Sequence, residues 1–170
     1  MVEVKEDTLK SRSEFASVSP YATSRPPHRR LRVFAKDPSL GESAETAVVN
    51  EAVLEVPWEP PGDPTKDVGL FPGPVGEYLE VIDYDPTLKK FFEPVDLNNS
   101  NLLAQDGLAP SDGNPQFHQQ MVYAVAMRTI RNFEIALGRR ALWAPRLGAE
   151  GSGEPDEFVR RLRIYPHALR

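Results

Sequence analysis

The segment from Asn114 to Gly138 specifies one long helix more strongly than any other part of the sequence specifies an element. Asn114 can cap the first turn through its side-chain oxygen, and Pro115 suits the first helical position, where no N–H hydrogen bond is needed. Gly138 can adopt the left-handed conformation that often ends a helix. The sequence therefore predicts an α-helix over residues 115–137.

An apolar stripe runs along this predicted helix. Its members recur at spacings of three and four residues: Val122, Ala126, Ile130, Phe133 and Leu137. Met121 and Val125 widen the stripe, and several alanines allow another element to approach closely. The pattern predicts a helix that is half-buried against a β-sheet.

The composition excludes several classes of protein. The chain has 170 residues, 40% of them hydrophobic and 26% charged, which favours a globular chain of about one domain. Its net charge of -5 argues against nucleic acid or an anionic membrane as a partner. Cysteine is absent, so disulfides, thiolate nucleophiles and cysteine-ligated metal sites are excluded.

The sequence predicts a cytoplasmic protein. Residues 1–14 are charged throughout and lack the apolar core that signal peptides carry. Elsewhere, no segment approaches the roughly 18–20 apolar residues of a membrane span.

Two regions are predicted. Residues 1–30 combine Ser, Thr, Pro and both charge signs with few large apolar side chains, which is typical of a disordered tail. Residues 31–170 are predicted to form one α+β region that begins with strands at 31–35 and 48–58. Residues 57–76 contain six prolines and four glycines, so a long connection is expected there.

The remaining strands are expected to complete a mixed or antiparallel sheet packed on the long helix. Residues 75–84 and 90–97 flank Asp85-Pro86-Thr87 and predict a hairpin. A polar, turn-rich connection follows over residues 96–113. A last strand is predicted over residues 158–168, with Phe158, Leu162, Ile164 and Ala168 on its apolar face and Arg161, Arg163, Tyr165 and His167 on its polar face.

Histidines and glycine-rich segments give no recognisable catalytic or metal-binding motif. His118 has Val122 at i+4 where a second metal ligand would stand, and His28 and His167 share no ligand spacing with it. We therefore expect His118 to pack or to form a hydrogen bond. The glycine-rich segments 73–76 and 148–153 match neither a dinucleotide fingerprint nor a P-loop, and Ser152 lacks the context of a nucleophile elbow.

Two sets of charged residues have both a functional and an ordinary interpretation. Asp83, Asp85, Glu93 and Asp96 converge if the hairpin forms, and paired carboxylates can serve acid–base chemistry, although solvated hairpin charge is the favoured interpretation. The basic clusters 29–32 and 160–163 can contact phosphates, but arginine is also common on the solvent-exposed face of a strand. We favour the second interpretation and expect no nucleic-acid partner.

Four segments together resemble the N-terminal part of a bacterial family of predicted gluzincin metallopeptidases. The resemblance covers roughly residues 30–170, and the segments that carry it are Gly76–Pro86, Leu103–Ser111, Gly113–Gln120 and Arg161–Arg170. Such proteins are similar to thermolysin-like enzymes, in which a helix of this kind packs on a mixed sheet ahead of a substrate-binding edge strand. A later helix carries the zinc ligands in an H-E-x-x-H motif, with a further glutamate beyond it.

No part of this sequence matches H-E-x-x-H, so the resemblance assigns no catalytic, cofactor-binding or metal-binding residue to it. It implies a non-catalytic N-terminal region, truncated near Arg170, of a zinc peptidase that is active only in a full-length relative. The alternative is a stand-alone module that binds a protein partner, such as the missing catalytic half, through an open strand edge. An unpaired edge over residues 158–168 also predicts poor solubility.

Overall fold

In the computed structural model of the chain, the described residues are Lys10, 28–36, 50–148 and 156–168. Most of the predicted tail, residues 1–27, lies outside them apart from Lys10. The strands are β1 His28–Phe34, β2 Glu51–Pro57, β3 Leu79–Val81, β4 Tyr84–Asp85, β5 Lys90–Phe91 and β6 Leu162–Ile164, and the helices are α1 Ser100–Ala104 and α2 Pro115–Leu137. The predicted α+β class is confirmed.

Strands β1 and β2 form an antiparallel pair in which Leu31 lies opposite Leu54. Leu31, Val33 and Val56 are buried, while Val53 is exposed among the polar positions of β2, as its place in the pattern indicated. Strand β1 begins at His28, three residues earlier than predicted. The last three residues of the predicted tail, 28–30, therefore belong to the strand.

The prediction for α2 is confirmed at both ends. Asn114 Oδ1 accepts a hydrogen bond from the N–H of Gln116 at 3.0 Å, and Gly138 has a φ of 65°, in the left-handed region. Helix α2 packs against β1, β2 and β3. Because β1–β2 and β3 belong to different sheets, the helix joins these sheets into one fold.

The predicted buried stripe of α2 is wrong at Val125, which is 42% exposed, and in its C-terminal half. Phe133 is 60% exposed and Leu137 is 52% exposed. Of the predicted stripe only Ile130 is fully buried. The buried residues of the helix include the polar Gln119, Gln120 and Glu134, and the full set is Phe117, Gln119, Gln120, Tyr123, Ala124, Met127, Ile130 and Glu134. Hydrogen bonds to neighbouring loops satisfy these polar groups, which lets them occupy the core-facing side in place of apolar residues.

The predicted hairpin forms, but its arms are shorter than expected. Strands β4 and β5 are antiparallel, with Tyr84 opposite Phe91. Strand β3 instead pairs in parallel with β6, placing Leu79 beside Leu162 and Val81 beside Ile164. The last predicted strand is thus reduced from residues 158–168 to three residues, and its apolar parity fails because Leu162 is exposed while His167 is buried.

The connections also agree with the sequence in outline. Residues 58–76 contain isolated bridges but no named strand or helix, and the short helix α1 interrupts the predicted connection 96–113. Among the described residues, no helix has the length and apolar character that crossing a membrane requires.

Candidate functional site

Asp83, His167 and His118 form a chain of hydrogen bonds near the N-terminus of α2. His167 Nδ1 lies 2.6 Å from Asp83 Oδ1, and His167 Nε2 lies 2.9 Å from His118 Nδ1. Asp83 and His167 are 5% and 9% exposed, whereas His118 is half-buried. The two histidines are 49 residues apart in sequence, so no local motif could have revealed the pair.

The parallel pairing of β3 and β6 explains this convergence. The carboxyl ends of parallel strands lie at the same edge, and Asp83 and His167 follow β3 and β6 by two and three residues respectively. The first turn of α2 brings His118 to the same edge. The ring of Phe92 packs against His167 at 5.3 Å between centroids and closes one side of the chain.

The bonding pattern determines where the protons lie. Asp83 also accepts a hydrogen bond at Oδ2 from Gln119 Nε2 at 3.0 Å, so both carboxylate oxygens are acceptors. His167 must then donate from Nδ1, which leaves its Nε2 as the acceptor for His118 Nδ1–H. In the neutral state the proton of His118 is therefore on Nδ1, and its Nε2 carries the lone pair.

Charge on His118 is disfavoured by its surroundings. Burial and the neighbouring His167 lower the pKa of His118, while Asp112, Asp83 and the carbonyl of Ser111 oppose that change. The imidazole is consequently neutral at pH 7 and can accept a proton at Nε2. Chemically, the arrangement is an acid–histidine–histidine chain that can bind and relay a proton.

A second buried cluster joins β1, the proline-rich connection and α2. Tyr123 donates its hydroxyl proton to Glu59 Oε2, and Glu59 Oε1 accepts from the N–H of Glu77 at 2.5 Å. Burial raises the pKa of Glu59, and the hydrogen bonds from Tyr123 and Glu77 oppose that rise. Burial likewise raises the pKa of Tyr123, an effect that the nearby Glu59 reinforces.

Arg29 completes this second cluster. It is 1% exposed and donates to the carbonyls of Leu97 and Glu59 and to Asn98 Oδ1. Its guanidinium carbon lies 4.5 Å from the centroid of the Trp58 ring, a cation–π contact. The interpretation of Arg29 as a solvent-exposed strand residue is therefore wrong. Its whole side chain is buried, because the guanidinium donates hydrogen bonds to loop carbonyls and to Asn98.

A third cluster surrounds the C-terminal end of α2. Tyr78 donates its hydroxyl proton to Glu134 Oε1, and Arg140 binds Tyr78 Oη at 2.8 Å and Glu77 Oε2 at 2.7 Å. Glu134 Oε1 also accepts from the N–H of Ala141 at 3.1 Å. This network fixes the chain where it leaves the helix.

The four acidic residues considered above separate into two kinds. Asp83 and Asp85 are buried, so the interpretation as solvated charge is wrong for them, while Glu93 and Asp96 are exposed. Asp85 Oδ1 accepts from the N–H groups of Thr87 and Leu88 and so stabilises the hairpin turn. The four carboxylates do not form one acid–base site.

The C-terminal basic cluster is engaged in ion pairs. Arg160 and Arg161 bind the carboxylate of Asp67 at 3.2 and 2.9 Å, and Arg163 binds Glu80 at 2.8 Å. These contacts tie the segment before β6 to the proline-rich connection and to β3.

The expected packing or hydrogen-bonding role of His118 is confirmed, and within the described ranges no group of three or more side chains has the arrangement of a metal site. No protein-family model matches the chain, and no curated protein or solved structure is significantly similar to it.

Proposed function

We propose that this chain is the non-catalytic N-terminal region of a gluzincin-like zinc metallopeptidase, acting in the cytoplasm through a catalytic region on another segment. The observation that supports the proposal is that the four segments carrying the family resemblance contact one another in the structure. Three of them supply Asp83, His118 and His167 to one hydrogen-bonded chain, and the fourth contacts α2 through Leu108. Side chains up to 84 residues apart in sequence, from different segments, thus belong to one structural unit.

The proposal is tested by metal binding and peptidase assays on the 170-residue chain. We expect no zinc binding in the micromolar range and no cleavage of a fluorogenic peptide. Chelator-sensitive cleavage accompanied by tight zinc binding would show that the chain carries its own catalytic centre. Loss of binding in His118→Asn and His167→Gln variants would then locate the metal.

A specific feature of β6 favours a second, compatible function, the binding of a partner strand. Within the described residues β6 has a neighbour on one side, where Leu162 donates to Tyr78 and Ile164 accepts from the N–H of Ile82. Backbone groups alternate sides along a strand, so the N–H and carbonyl of Arg163 point away from β3. An extended partner segment can extend the sheet at this edge.

The test compares two substitutions at one position. Arg163→Pro removes the outward N–H, whereas Arg163→Ala keeps it and loses only the ion pair with Glu80. A gluzincin catalytic region carrying H-E-x-x-H, supplied as a separate polypeptide, should co-elute with the wild-type and Arg163→Ala chains but not with Arg163→Pro. Equal co-elution of both variants would argue against strand addition, and so would the absence of any complex.

A further inference from the structure

We propose that the Asp83–His167–His118 chain is a pH-dependent latch that holds the turn after β6 against α2 and thereby controls the pairing of β6 with β3. The latch itself follows from the geometry of these three side chains. Its regulatory consequence, exposure or withdrawal of the β6 edge, rests on the proposed strand-binding function.

His167 is the principal anchor of this turn. Strand β6 has three residues, of which Leu162 and Arg163 are exposed and Ile164 is partly buried against the core, so burial of one side chain is all that β6 itself contributes. The turn at residues 165–168 is closed by a long backbone contact of 3.5 Å between Ala168 and Tyr165. By contrast, both ring nitrogens of the buried His167 are bonded, and its ring packs on Phe92.

The number of bound protons decides whether the latch can remain closed. In the neutral chain, one proton lies between His118 Nδ1 and His167 Nε2, and another lies between His167 Nδ1 and Asp83. A further proton enters at His118 Nε2 and places a positive charge on a half-buried imidazole whose ring centroid lies 5.0 Å from that of His167.

The groups that face the pair come from three elements. Asp83 lies after β3, Asp112 and the carbonyl of Ser111 lie before α2, and His167 follows β6. The two carboxylates favour a proton on His118, whereas burial and the imidazole of His167 oppose it and lower its pKa. The closed latch is therefore expected to lose stability as the solution is acidified.

The direction of the pH effect follows from His118. Burial lowers its pKa in the folded protein below the ordinary value of 6.5, so the unfolded or opened state binds more protons. The stabilising effect is fully present above pH 6.5 and is lost as the pH falls from there toward the lowered pKa. Each proton taken up on opening changes the opening equilibrium by about tenfold per pH unit.

Two backbone amides report on the latch directly. The N–H of Ile82 donates to Ile164 and that of Leu162 donates to Tyr78, so their hydrogen-exchange protection measures β3–β6 pairing. Between pH 7.5 and 5.0 we expect protection of both amides, corrected for intrinsic exchange, to fall by about tenfold or more. In His118→Asn, whose amide can still donate to His167 but cannot titrate, the fall should be below about threefold.

Histidine ring ¹⁵N NMR provides a second readout, because the chain contains only three histidines. At pH 7.5 we expect Nδ1–H tautomers for both His118 and His167, and His28→Gln serves as the control that leaves the amide protection unchanged. An Nε2–H tautomer at His118, or equal loss of protection in wild type and His118→Asn, would overturn the latch. Both measurements are made without a partner, so their outcome does not depend on whether any strand binds β6.

Discussion

Replacing Tyr123 by Phe removes a single oxygen from the buried cluster of Tyr123, Glu59 and Arg29. The hydroxyl donates to Glu59 Oε2, and Tyr123 is completely buried. A Cβ added at Gly76 would lie 2.4 Å from the same carboxylate oxygen, so the backbone already closes this side of the cluster. Water therefore has little room to replace the lost hydroxyl.

The expected cost is that of a buried acceptor that loses its donor. An unsatisfied buried group costs about 1–3 kcal/mol, and more when the group is charged. Because Glu59 keeps its bond from the N–H of Glu77 and the nearby Arg29, we expect a loss of about 2 kcal/mol, within that range. With a urea m-value of about 2 kcal/mol/M, this loss lowers the unfolding midpoint by about 1 M.

Urea unfolding at pH 7, followed by circular dichroism, measures this loss. Tyr165→Phe removes the same atom from a side chain that is 45% exposed, and surface changes of this kind usually alter stability by less than about 0.5 kcal/mol. The double variant Glu59→Gln/Tyr123→Phe measures the coupling between the two side chains. If Tyr123→Phe costs no more than Tyr165→Phe, the hydroxyl does not satisfy Glu59 in solution and the reasoning fails.

Three further substitutions test the pH response of Glu59, the backbone contacts of Gln120 and the end of α2. Burial raises the pKa of Glu59, so the stability that Glu59 contributes is fully present below pH 4.5, the pKa in the unfolded chain, and is lost as the pH rises through the folded-state pKa. The stability of Glu59→Gln relative to wild type should therefore increase between pH 4 and pH 8, as measured by paired urea titrations. Gln120→Leu leaves the N–H and carbonyl of Leu108 without their hydrogen-bond partner and should lower the free energy of unfolding by about 1–3 kcal/mol. The amide of Leu108 should also exchange faster, and an unchanged exchange rate would contradict the role of Gln120 in binding this backbone. Gly138→Ala should cost about 1 kcal/mol in thermal unfolding because of its positive φ, whereas Gly113→Ala, with open space and no positive φ, should cost less; equal costs would refute the strain argument.

Local signals in the sequence predict the elements whose causes are local. Asn114, Pro115 and Gly138 fix the ends of α2, and alternation over residues 48–58 identifies β2. The hairpin was recognisable because Asp85 and Pro86 define its turn. In each of these cases the stabilising contacts join residues close together in sequence.

Contacts between distant residues account for what the sequence did not predict. Hydropathy alone places Phe133 and Leu137 in the core of α2, yet the helix is rotated so that Glu134 faces inward to Tyr78 and Ala141. Nothing local distinguishes Arg29 from the exposed Arg30 beside it, since the acceptors of Arg29 are 30 to 69 residues away. Likewise, the histidine pair exists only because β6 joins β3 in parallel.

These buried polar groups compensate for how little regular sheet the described residues contain. Only β1 and β2 are of ordinary length, and the other two strand pairs have strands of two or three residues, which leaves much of the described chain in connections. The N–H and carbonyl groups of these connections need partners when buried. Helix α2 supplies many of them: Gln119 binds the backbone of Val95 and Glu93, and Gln120 binds that of Leu108 and Arg32.

The same principle extends beyond α2, because Arg29 and Glu59 also bind loop backbone. Side chains thus perform the role that ladder hydrogen bonds perform in a larger sheet. It follows that the polar residues on the inner face of α2 specify the fold at least as strongly as its apolar ones. An apolar substitution at Gln120 should accordingly be more damaging than a polar substitution at exposed Phe133, the reverse of what hydropathy predicts.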